Sequence, residues 1–186
     1  MNGKKTIIHI LFGFCLFSFG LNKAVSSENN ITNYSKTISV LQELYRAEIT
    51  ASKTYLGFAQ KGVEEKYYSV ARLFSALSES ESVHARNFKN ILNGLGVEPE
   101  NFPEPDIKIG DTKKNLEWAL KVELSEIDTN YPKMIEGIKS EENKIALNDI
   151  TYAWKAEMQH KNLIKKNEIR PLAFLWKDCR QTKRSA

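Results

Sequence analysis

With 186 residues, 27% of them charged and 41% hydrophobic, the chain has the composition of one ordinary globular domain with room for a short appendage. Its formal charge of +4 comes largely from Lys4, Lys5 and Lys23; without them, 24 basic residues face 23 acidic ones. A nucleic-acid binder would carry a basic excess on one face. The one basic cluster here, Lys177, Arg180, Lys183 and Arg184, reads as a solvated tail, so no nucleic-acid partner is expected.

Residues 1–26 read as a secretory signal peptide. Lys4 and Lys5 precede an apolar run from Ile7 to Leu21, and Ala24-Val25-Ser26 offers a cleavage site. The run is shorter than the ~20 residues that span a bilayer comfortably, an uncleaved membrane anchor being the alternative. The expectation is export to a periplasmic or extracellular location. Cys15 lies inside the run, which leaves Cys179 as the one cysteine of the exported chain and rules out an internal disulfide there.

A polar stretch follows, and from about Thr37 to Gln60 apolar residues recur at helical spacing: Ile38, Leu41, Leu44, Tyr45, Ile49, Tyr55, Leu56 and Ala59. Gly62 marks a break. A second helix is expected over about Glu64–Leu95, ended by Gly94 and Gly96. Residues 96–111, with Pro99, Pro103, Pro105 and Gly110, have no helical period and form a long connection. A third helix starts at the capping pair Asp111-Thr112, is loosened or kinked at Pro132, and breaks at Gly137. Ser140 can cap a fourth, which runs to about Asn167 before Pro171 and a short tail, 168–186. No stretch reads as a strand. Four helices over 37–167, with short, long and short connections, describe an all-α fold resembling the ferritin-like four-helix bundle, two helical hairpins joined by a long crossover.

The core-facing stripes are interrupted by acids. Glu48 falls on the line of Leu41, Tyr45, Ser52, Tyr55 and Ala59. Glu81 and His84 lie between Leu77 and Phe88. Glu123, with Glu126 or Ile127, follows Leu116 and Ala119 and precedes Asn130 and Met134. Glu157 and His160 lie between Ala153 and Ile164. Ionised carboxylates in a core cost several kcal/mol each unless neutralised. No Lys or Arg shares these lines near the middle, so a pair of divalent cations is the economical answer. Glu81-Ser82-Val83-His84 and Glu157-Met158-Gln159-His160 are both Glu-x-x-His, whose two side chains share a helix face and reach one metal centre. Glu48 precedes Glu81 by 33 positions and Glu123 precedes Glu157 by 34, so each hairpin repeats the pattern. Carboxylates with two imidazoles suit iron, or manganese or a mixed pair, better than structural zinc.

Glu123-Leu124-Ser125-Glu126, followed five residues later by Tyr131-Pro132, and Tyr55 seven residues after Glu48, make residues 41–164 resemble the rubrerythrin family. The resemblance implies a di-iron site held by Glu48, Glu81, His84, Glu123, Glu126, Glu157 and His160. Glu81 and Glu157 would bridge, and Glu48 would be terminal on one iron. Glu123 and His160 would hold the other, while His84 and Glu126 alternate with oxidation state. Tyr55 and Tyr131 would hydrogen-bond the ligands, although either tyrosine taken alone fits an amphipathic core position. It further implies reduction of hydrogen peroxide and a homodimer. The family's C-terminal rubredoxin-like domain is missing: one cysteine cannot build a four-thiolate site, so a separate electron donor, rubredoxin-like or other, is expected. A ferritin-like ferroxidase acting with dioxygen, and a metal-stabilised structural bundle, are the alternatives.

Overall fold

The computed structural model describes residues 33–168, all helical apart from turns and the crossover. The expected signal peptide and the tail beyond Glu168 lie outside the described residues. The helices are α1 (Ser35–Glu64), α2 (Tyr68–Gly94), α3 (Thr112–Ser125), α4 (Tyr131–Ile138) and α5 (Lys144–Glu168). A π-helical turn, Glu126–Asn130, joins α3 to α4 in one rod, and a 3-10 turn, Lys139–Glu141, follows α4. No described helix is long and apolar enough to cross a membrane.

Two apolar clusters fill the bundle. One joins Leu41 and Leu44 of α1 to Phe88 and Leu92 of α2, Tyr131 and Ile138 of α4, and Ala146, Ile150 and Ala153 of α5. The other joins Tyr55, Phe58 and Ala59 to Val70, Phe74, Leu77, Leu116, Ala119 and Ile164. Read along the chain, α1 and α5 pass from the first cluster to the second, and α2 and the α3–α4 rod pass the other way. The connection between α2 and α3 must therefore travel the length of the bundle.

It does so along α1. Gln42 bonds Glu98 O and Glu100 N at 3.0 and 2.9 Å. Farther along, Phe102 meets Tyr45 edge-on, Lys53 pairs with Glu104, and Ile109 covers Gly57. A Cβ on Gly57 would lie 2.7 Å from the end of the Ile109 side chain, which would have to shift to admit it. At the far end Glu65 Oε2 accepts from Thr112 N at 2.9 Å, beside the expected N-cap bond from Lys114 N to Asp111 at 2.8 Å.

Three local readings need correction. Gly62 does not break the first helix; it lies inside α1, where a Cβ would press to 3.2 Å on the backbone of Ala71 in α2. The reversal comes later, at Lys66, whose left-handed φ of 64° lets Tyr67 N reach Gly62 O at 2.8 Å. Ser140 does not cap the last helix. It sits in the 3-10 turn, and Asn143 Oδ1 accepts from Ala146 N at 3.1 Å instead. The adjacent Glu141 performs a service no local pattern announces, accepting from Lys36 N and Thr37 N at 2.9 and 2.8 Å and so capping the first turn of α1.

The third correction concerns the third helix. Its inward line does not continue through Asn130 and Met134, which are half-buried, but through Ile127, Tyr131 and Ile138. The π turn inserts one extra residue and shifts everything after it by about 100° of helical rotation. Pro132, which has no N–H to give, stands just past this turn, at the start of α4.

Candidate metal centre

Between the two apolar clusters lies a polar layer. Glu48, Glu81, His84, Glu123, Glu157 and His160 are each at most 8% exposed. Their ligating atoms form two groups, Glu48, Glu81, His84 and Glu157, and Glu81, Glu123, Glu157 and His160, in each of which the atoms lie within 4.8 Å of one another. Glu81 and Glu157 belong to both groups.

The halves mirror each other. His84 Nδ1 lies 3.0 Å from Glu81, 3.4 Å from Glu157 and 3.9 Å from Glu48. His160 Nδ1 lies 3.0 Å from Glu157, 3.1 Å from Glu81 and 3.8 Å from Glu123. Each tyrosine reaches across to the other hairpin: Tyr55 donates to Glu123, and Tyr131 to Glu48, both at 2.5 Å. Tyr55 stands seven residues after Glu48, whereas Tyr131 stands eight after Glu123. The inserted residue of the π turn accounts for the difference and brings the two tyrosines to equivalent places. That unequal spacing was the signal in the sequence from which the turn is readable.

Glu126 is outside both groups. It is half-buried, lines the same cavity of about 410 Å³ as Glu48, Glu81, Glu123 and Glu157, and accepts from Asn130 Nδ2 at 3.0 Å. The cavity passes between α1 and α3 to the surface at Glu43 and Arg46. Ser80, and the bond from Asn130 to Glu126, were not anticipated from the sequence. The Ser80 hydroxyl lies 3.0 Å from His160 Nε2, which leaves Nδ1 for the cluster.

In the protein alone, protons take up the charge. Burial first, then Glu81 and Glu157, raise Glu48 well above the usual carboxylate range. Burial and the neighbouring Glu157 push Glu123 up to about 10. Burial opposes a charge on either imidazole, but Glu157 and Glu81 overcome it, raising His84 to about 10 and His160 to about 11. Glu157 is desolvated too, yet its contacts with His160 and His84 bring it down to about 2. Burial raises Glu126, which Asn130 partly offsets.

Four buried atoms of the cluster have no hydrogen-bond partner: Glu81 Oε2, His84 Nδ1, Glu123 Oε2 and Glu157 Oε1. Native interiors rarely leave such atoms unpaired. All four belong to the two ligand groups, so one cause accounts for them together. Four carboxylates also carry the charge that two divalent cations neutralise. The donor set fits a pair of metal ions, with Glu48 and His84 at one position, Glu123 and His160 at the other, and Glu81 and Glu157 facing both.

A layer of buried carboxylates and imidazoles midway along four helices defines a ferritin-like di-metal protein. The rubrerythrin family model matches residues 39–168, and the chain belongs to that family. Rubrerythrin-2 of Clostridium acetobutylicum is 30% identical over 133 residues, 68% of this chain and 69% of that one. The rubrerythrin of Porphyromonas gingivalis is 31% identical over 120 residues, 64% of this chain and 59% of that one. Among solved structures, fully reduced, all-ferrous nigerythrin matches with a TM-score of 0.64 at 25% identity, over 71% of this chain and 65% of that one. A bacterioferritin of Desulfovibrio desulfuricans with a di-iron site, at 19% identity and a TM-score of 0.69, shares the fold. The chain spans less than two thirds of the nigerythrin and Porphyromonas gingivalis proteins.

Proposed function

We propose that this protein holds two iron ions and reduces hydrogen peroxide to water, with electrons from a donor outside these residues. The observation that supports this reading is the place of Glu126. It is a spare carboxylate, in the cavity beside a complete ligand set and held back by Asn130. A bundle that used metal only for stability has no need of it.

When bound, the iron pair supplies two electrons at one place, so that peroxide and two protons become two waters without a one-electron step. The chain's residues do the rest. Tyr131 and Tyr55 fix the orientation of Glu48 and Glu123. His84 and Glu126 would be the alternative ligands that the family resemblance implies: neutral imidazole would suit a ferrous ion, and an added anionic oxygen a ferric one. The apolar clusters above and below keep water out except through the cavity. Cys15 and Cys179, the two cysteines of the 186 residues, are too few for a four-thiolate iron site. The donor in this reading lies outside these 186 residues and is rubredoxin-like or other. Residues 1–26 are assigned to export, which fractionation of cells expressing the full chain checks.

The carboxylates Glu43 and Glu126, which line the cavity between its mouth and the ligand groups, favour a second reading, in which incoming ferrous ions are the substrate and dioxygen the oxidant. Stopped-flow mixing of the diferrous protein with each oxidant separates the two. Oxidation much faster with peroxide than with dioxygen supports the first; turnover of many added ferrous ions per site in air supports the second. A site inert to both would leave only the structural role.

A further inference from the structure

Trp154 stands on α5, one turn before Glu157, and its indole N–H donates to the carbonyl oxygen of Ile127 at 2.9 Å. Ile127 is buried and lies in the π turn with Glu126. Its carbonyl has lost both of its ordinary backbone donors. The N–H of Tyr131, which an α-helix would aim at Ile127, bonds Glu126 O instead. The next donor in the π register would be residue 132, and Pro132 has no N–H. A partly buried carbonyl left in that state is costly, and neither the α nor the π register offers a remedy.

We propose that Trp154 is a positioning residue: its indole N–H replaces the amide that Pro132 lacks, and thereby pins the π turn where Glu126 faces the metal cavity. A π turn is one surplus residue in a helix, and its location along the rod is not fixed by the backbone alone. Moving it toward α3 would rotate Glu126 away from the cavity; moving it past Tyr131 would carry that hydroxyl off Glu48. Trp154 on one side and the Tyr131–Glu48 bond on the other hold the surplus residue between them. The clamp follows from the hydrogen bonds alone; its chemical consequence rests on the reading of Glu126 as an exchangeable ligand.

The test uses the full chain. In the metal-free, unsubstituted protein, the Trp154 indole proton should exchange slowly with solvent by NMR; prompt exchange would overturn the clamp whatever any variant does. Trp154→Phe keeps a large ring and removes the donor. Amides 127–131 and 133 should then exchange roughly tenfold faster, with α1 and α2 unchanged. Adding Pro132→Ala supplies a new N–H and should return exchange to near the original rates. Acceleration spread over the whole bundle, or no rescue by Pro132→Ala, would mean that the ring matters only as packing and would overturn the proposal. Iron loading supplies an independent readout. The visible spectrum of oxidised Trp154→Phe should shift as that of Glu126→Ala does. A loosened π turn with an unshifted spectrum upholds the clamp and overturns the assigned role of Glu126.

Discussion

Replacing Tyr131 by Phe removes one oxygen that is almost fully buried, 2.5 Å from Glu48 Oε1, and leaves the ring packed among Leu41, Phe88 and Ile150. The cost depends on the state of Glu48. In the metal-free protein burial and the neighbouring carboxylates raise its carboxyl well above the usual range and so favour its neutral form; a bond between neutral groups is worth about 1 kcal/mol. A bound cation makes Glu48 a carboxylate, and a hydrogen bond to an ionised partner is worth about 1.5–3 kcal/mol. The difference, about 0.5–2 kcal/mol, is the part of metal affinity that Tyr131 supplies. Tyr131→Phe should therefore weaken metal binding roughly 2- to 30-fold while lowering metal-free stability by about 1 kcal/mol. Competition of Mn²⁺ or Fe²⁺ against a chromophoric chelator gives the first quantity, and denaturant unfolding in excess chelator gives the second. Tyr55→Phe should behave alike through Glu123. An affinity unchanged within twofold, with stability lowered equally in both states, would refute the idea that these tyrosines orient ligands and reduce them to core residues.

Glu126→Ala should leave two metals bound but slow oxidation by peroxide or alter the spectrum of the oxidised iron protein, whereas Glu81→Ala and Glu157→Ala, which remove a residue common to both ligand groups, should lose metal on elemental analysis. The metal-free protein should lose stability as pH rises from about 4.5, through Glu123, and more steeply from about 6.5 to about 10, where the two histidines join it. His84, His160 and Glu123 keep protons in the folded state that the unfolded chain has shed, with folded values of about 10, 11 and 10. Glu157, lowered to about 2, acts with the opposite sign but only below its ordinary value of 4.5. Thermal melts in chelator across that window should show a falling Tm, while metal-loaded protein, its ligands already deprotonated, should stay level; a rising metal-free Tm contradicts the charge assignment. Asn143→Ala should cost about 1 kcal/mol as a lost N-cap, and Ser140→Ala, at an exposed turn position, less than about 0.5 kcal/mol, both by chemical denaturation.

Much of the centre was readable before any coordinates. The two Glu-x-x-His pairs and the lone glutamates one hairpin-length upstream sit on stripes whose period is fixed by helix geometry, so their convergence follows from spacing. On α5 every residue of the expected line, from Ala146 to Ile164, is buried. Reading failed where a helix departed from that period. Asn130 and Met134 were placed inward because an uninterrupted α-helix puts them there, and the π turn turns Tyr131 and Ile138 inward instead. Helix ends were read unevenly: Asp111 caps α3 and Gly94 ends α2 as expected, but Ser140 does not cap α5. Gly62 resembles a stop signal but is a close-contact point against Ala71, and a glycine's reason for being a glycine can lie on another helix.

The order of residues along the chain determined which side chains share a face, how many acids interrupt the apolar stripes, and that two hairpins repeat one pattern, because these depend only on a local repeat of 3.6 residues per turn. Packing decided the rest. It set the crossing of each tyrosine to the opposite hairpin's glutamate, the bond from Trp154 to the π turn, and the course of the crossover along α1. Those contacts join residues far apart in sequence or arise where the helical repeat is broken. Their existence depends on which surfaces meet, and no single helix carries that information.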